Sequence, residues 1–207
     1  MHARTLVLLL SLSLPHGLAL AETVLVTGLA GRVNLADPAG PLHPFTRLKA
    51  GQRLALESDA RLQIVYLGSG RHESWNGPGR LDIGEGDSRS GDLAAPRIRQ
   101  LQPTVLAQLA KTPQAEGGPP PRRQRSLPAA DAVGRIEATY RQMRIEAAAD
   151  DLDPELYLLS GMFELRQLER VEEIVADIMQ KRPGDPQAKL LASLYRKSLK
   201  NLRESGK

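Results

Sequence analysis

The sequence has 207 residues, a formal net charge of +4, no cysteine and only 3% aromatic residues. That length allows one domain or two small ones. The absence of cysteine excludes a disulfide framework, a thiolate nucleophile, Cys-ligated zinc or iron–sulfur sites, and an acylated-cysteine anchor.

Residues Met1 to Ala21 have the layout of a secretory signal peptide. Arg4 forms the positive start, Leu6 to Leu14 the apolar stretch, and Pro15 and Gly17 interrupt it. Ala19-Leu20-Ala21 then fits the small-x-small rule, which places cleavage between Ala21 and Glu22. The apolar stretch is shorter than the roughly 20 residues of a membrane-spanning helix. Export is therefore expected, to the periplasm first and the medium second, and nucleic acid is not an expected partner. Loss of Arg4 lowers the charge to +3.

From Thr23 to Ile83 the chain alternates with period two, and glycines separate the runs. Strands are predicted over Thr23–Thr27, Arg32–Ala36, Arg53–Leu56, Arg61–Leu67, His72–Trp75 and Arg80–Ile83. Within Arg61–Leu67, Leu62, Ile64 and Tyr66 share one face, and Gln63, Val65 and Leu67 share the other. A short helix is expected over Leu101–Ala110, with Pro103 in its first turn. These elements assign residues 22–111 to a β domain with a short terminal helix. Residues 112–128, TPQAEGGPPPRRQRSLP, have no periodicity and read as a Pro/Gly/Arg-rich spacer.

Beyond the spacer, over residues 129–207, the period becomes helical. Val133, Ile136, Tyr140, Met143 and Ala147 fall on one face. Asp153-Pro154 and Asp185-Pro186 each pair an N-cap acceptor with a proline at the first helical position. Between them, Gln167–Glu169 turns the chain into another helix ending near Lys181. The expected fold class is α+β with segregated parts: an N-terminal all-β sandwich or roll, then C-terminal antiparallel α-helical hairpins.

Two resemblances follow from these residues. Leu158 to Pro183 resembles a degenerate tetratricopeptide repeat, with Leu158, Met162, Leu168, Val171, Val175 and Ile178 on its apolar positions. Leu159 and Val171 stand where that repeat has small residues. The β half resembles the periplasmic domain of the FecR family. The matching stretches are Gly31–Leu35, Pro41-Leu42, Leu48–Leu54, Ala60–Gly70 and Trp75–Gly79. This resemblance implies a β fold in the cell envelope. The anti-sigma segment and membrane helix of FecR-type regulators have no counterpart among these residues.

Catalytic patterns are sparse. No G-x-S-x-G, S-x-x-K or H-E-x-x-H occurs, so no catalytic serine, metal site or cofactor is expected. His43 and His72 are too few for a three-histidine zinc site. Trp75, the single tryptophan, and Tyr66 are candidates for ligand stacking; the competing reading makes Trp75 a cover for the β core. Glu73 and Asp82, expected on neighbouring strands, are a candidate carboxylate pair for glycoside chemistry.

Charge is divided within the helical half. Residues 130–186 carry net −6 and residues 187–207 net +5. The basic side chains Lys189, Arg196, Lys197, Lys200 and Arg203 either neutralise the acidic hairpins or meet an acidic partner or anionic headgroups. The expected function is non-catalytic periplasmic binding or scaffolding, as a FecR-like sensing or interaction component of envelope signalling. An envelope or inner-membrane protein is the expected partner. The alternatives are a cell-wall or glycan-active enzyme and an envelope assembly factor.

Overall fold

The computed structural model describes residues 23–113 and 131–205. The signal peptide with its Ala21/Glu22 cleavage point, and the spacer from residue 114 onward, lie outside the described residues. The strands are β1 (Val24–Ala30), β2 (Val33–Ala36), β3 (Ala39–Pro41), β4 (Arg47–Leu48), β5 (Arg53–Leu56), β6 (Arg61–Tyr66), β7 (Arg71–Asn76), β8 (Gly79–Ile83), β9 (Ser88–Arg89) and β10 (Arg97–Gln100). The helices are α1 (Pro103–Leu109), α2 (Ala132–Glu146), α3 (Asp153–Glu164), α4 (Leu168–Lys181) and α5 (Pro186–Ser205). All six predicted strands form. The four that were not predicted, β3, β4, β9 and β10, are short or polar and carry little alternation.

The strands build two antiparallel five-stranded sheets, ordered β10-β7-β6-β1-β4 and β3-β2-β5-β8-β9. Val24, Val26, Leu62, Ile64, Tyr66 and Trp75 of the first sheet pack against Val33, Leu54, Leu56, Leu81 and Ile83 of the second. Such side chains contribute roughly 1.5–3 kcal/mol each when fully buried.

The first sheet is covered on its other face too. Leu25 and Val65 belong to a second core that they share with Phe45, α1 and the four C-terminal helices. This explains why Val24 to Gly28 is buried without a break, where one-sided packing would leave alternate residues exposed. The molecule therefore has three layers: sheet, sheet, helices.

Register fixes what the first sheet shows to the helices. Arg47, Leu25, Val65, His72 and Arg99 are successive cross-strand partners and form one row across all five strands. Leu25 and Val65 supply its apolar centre. Arg47 donates to the Ala110 carbonyl at the end of α1. A bulge between Val26 and Gly28 inserts Thr27, which is buried.

From α2 to α5 successive helices pack on one another, and α1 packs on α3. Every residue from Asp153 to Met162 is buried, so α3 is a central helix enclosed on all sides. Gly161 lets α2 approach, because a Cβ there would lie 2.8 Å from the Ile136 side chain. The apolar positions of the tetratricopeptide-like stretch are buried, with Leu168 half-buried at the edge of the core.

Two expectations need correction. Asp185 caps α5 as expected, its Oδ1 accepting from the Gln187 and Ala188 amides. Asp153 caps nothing: it is itself the first residue of α3, its amide donates to Asp151 Oδ1, and its carboxyl is buried against the sheet. The spacer also begins later than expected. Thr112 is 1% exposed, its hydroxyl 3.4 Å from that of Ser160.

Candidate functional site

Trp75 and Tyr66 lie inside the sandwich, 4% and 0% exposed, so neither offers a face for ligand stacking. Trp75 covers the β core, and its Nε1–H donates to Glu73 Oε2 at 2.9 Å. Tyr66 exchanges a 2.7 Å hydrogen bond with Ser88. Burial chiefly, opposed by that bond and reinforced by the Glu73 charge, pushes the Tyr66 phenol up to about 12.

The expected Glu73–Asp82 pair does not form. A long β7–β8 hairpin would place them opposite each other, but Gly77-Pro78 sends the chain from the first sheet into the second. Glu73 points inward on β7, fully buried, with Arg71 Nε, Trp75 Nε1 and the Ser88 amide as donors. Asp82 is exposed on β8 and lies opposite Arg53 and Arg89. Glu73 is thus a buried carboxylate compensated by three N–H groups.

The sheet–helix seam holds a polar group that periodicity did not mark. On β10, the Arg99 guanidinium donates to His72 Nδ1 through Nε at 3.1 Å and Nη2 at 3.0 Å. It also donates to Asp151 Oδ2 at 3.1 Å and lies 3.8 Å from Asp153 Oδ2. His72 Nε2 lies 3.4 Å from Asp153 Oδ2. The imidazole is fully buried and Asp153 is 2% exposed. Burial first, then the Arg99 charge, lowers the His72 pKa to about 4. Burial first, then the Asp151 charge, raises Asp153 to about 7. At this seam burial thus disfavours the charged form of both groups.

The turn bearing Asp151 is gripped from two helices. From α2, Arg144 reaches the carbonyls of Asp151 and Ala148 and the Glu155 carboxylate. From the end of α4, Arg182 reaches the carbonyls of Ala149, Asp150 and Asp151. Among the described residues no His, Asp and Glu side chains group as a metal ion requires, and no helix is long and apolar enough to cross a membrane.

The five basic residues of α5 are all exposed. Arg203 pairs with Glu172 of α4 at 2.7 Å, so the acidic hairpin is partly neutralised from within. Lys200 lies 3.9 Å from Glu204. Lys189, Arg196 and Lys197 form no ion pair among the described residues. The helix's apolar residues Leu191, Leu194, Tyr195 and Leu199 are turned into the core.

Comparison of the chain with family models, curated proteins and solved structures finds no match.

Proposed function

We propose that the chain is a non-catalytic binding protein of the cell envelope, with a FecR-like β half, and that the outer face of α5 docks an acidic protein partner. The observation that carries this reading is the exposed, unneutralised set Lys189, Arg196 and Lys197. Spacings of seven and four place Lys189, Arg196 and Lys200 on one side of the helix. By contrast, Glu73 and Asp151 are paired internally, and His72 and Asp153 are enclosed at the sheet–helix seam. Membrane docking is the weaker reading, because a surface-lying helix needs an apolar face as well as charge. Here that face is already buried.

The test is crosslinking and pull-down from the envelope with the whole chain and with the triple charge reversal Lys189→Glu, Arg196→Glu, Lys197→Glu. The expected result is one stoichiometric partner with the natural sequence, weakened by salt and lost in the variant. Equal capture by both chains overturns the docking face. Binding to anionic vesicles that disappears in the variant replaces the protein partner with a membrane.

A further inference from the structure

The seam between the first sheet and α3 contains two carboxylates and an imidazole but only one immediate cation. Arg99 is matched by Asp151 at 3.1 Å, so a charged Asp153 beside it would leave one uncompensated buried negative charge. The same guanidinium sends two N–H donors to His72 Nδ1. That nitrogen is therefore an acceptor, and the neutral ring carries its proton on Nε2, toward Asp153. An imidazolium would need a proton on Nδ1, pointing at the guanidinium.

Other neighbours leave this balance in place. From β1, the Thr27 hydroxyl lies beside the Asp153 carboxyl and favours its charged form. Glu155, two residues further along α3, favours the protonated form and is paired to Arg144 of α2. Arg182, at the C-cap of α4, is turned to the carbonyls of the turn before α3.

We propose that closing this seam moves one proton from His72 to Asp153, so that sheet and helices are joined by a neutral imidazole–carboxylic acid pair whose formation takes up no net proton. In mildly acid solution a solvated His72 carries one proton and a solvated Asp153 carries none. In the closed seam the carboxyl carries the proton and the ring is neutral. One proton is bound in each state, so the pair contributes no pH slope where either group alone would contribute a steep one.

The signs are opposite for the two groups. His72 is lowered on folding, so by itself it makes stability rise with pH from about 4 to its ordinary imidazole range. Asp153 is raised, so by itself it makes stability fall from the ordinary carboxylate range up to about 7. The test is urea unfolding of the whole chain at pH 5.0, 5.5 and 6.0, with His72→Gln and Asp153→Asn beside the natural sequence.

The natural sequence is expected to be nearly flat once the shared background of the other groups is subtracted, using the double variant as reference. Asp153→Asn should gain, and His72→Gln lose, close to tenfold in the folding constant per pH unit. Two single variants as flat as the natural sequence overturn the proposal. So does a natural sequence whose slope over this range matches that of either single variant. Ring nitrogen shifts of labelled histidine give a readout that needs no variant: His72 should remain the neutral Nε2–H form at pH 5.5. An imidazolium signal from His72 at that pH overturns the proposal.

Discussion

The Arg99 guanidinium on β10 and the Asp151 carboxylate before α3 meet at 3.1 Å, across the boundary between the β and helical halves. Asp151 is 4% exposed, so this is the charge pair that permits a carboxylate at the seam. Arg99 itself lies at a sheet edge, with its side chain 37% exposed.

Arg99→Ala should destabilise the protein by roughly 3 kcal/mol, because it strands the Asp151 charge and removes both donors from His72. Arg99→Lys should recover only part of this, since one ammonium cannot reproduce the forked contacts. Urea midpoints at pH 7 measure both effects, and a loss below 0.5 kcal/mol for Arg99→Ala would show that the pair contributes little.

The shared core predicts that the halves hold together without the spacer. A protease site introduced at Gly117-Gly118 and cut in the folded protein should leave two fragments that co-elute in gel filtration. Leu25→Ala should cost about 2–5 kcal/mol, as for other large-to-small core changes, and should favour separation of the cut fragments. Immediate separation of the unmutated fragments would contradict the three-layer packing.

Ser160 and Tyr195 share a 2.7 Å hydrogen bond inside the helical layer, and burial pushes the Tyr195 phenol upward. Ser160→Ala leaves that hydroxyl without this partner and should cost about 1–3 kcal/mol. Tyr195→Phe combined with Ser160→Ala should cost less than the sum of the single changes. Thermal unfolding of the four chains measures the coupling.

Trp75→Phe keeps most of the apolar volume but removes one of three donors to the buried Glu73 carboxylate. The expected loss is about 1.5–3 kcal/mol, that of a hydrogen bond to a charged group. Glu73→Gln should also destabilise, because its amide nitrogen would face an N–H donor. Calorimetry on both variants checks these losses; an unchanged Glu73→Gln would show that the three donors contribute little.

Legibility in the sequence followed the strength of the local signal. The β6 alternation was readable because Leu62, Ile64 and Tyr66 all point into one core. The same alternation held Val65 and Leu67, but nothing local says whether the outer side of a sheet meets water or another layer. The helical surface that meets Leu25 and Val65 begins far along the chain. Asp185-Pro186 and Asp153-Pro154 are alike in sequence, yet only the first is a cap. The second sits where the sheet supplies His72, a contact set by tertiary structure. Arg99 was invisible for the same reason: β10 reads RIRQ, with too little apolar pattern to declare a strand.

The double grip of Arg144 and Arg182 on the turn before α3 also has a mechanical meaning. Their hydrogen bonds to backbone carbonyls shorten the path from the end of α4 to the sheet to a single turn of chain. Arg203 and Glu172 join α5 to α4, Arg182 joins the end of α4 to that turn, and Asp151 joins the turn to Arg99. Side-chain contacts and the α4 backbone thereby link the far edge of the helical layer to the sheet edge at β10.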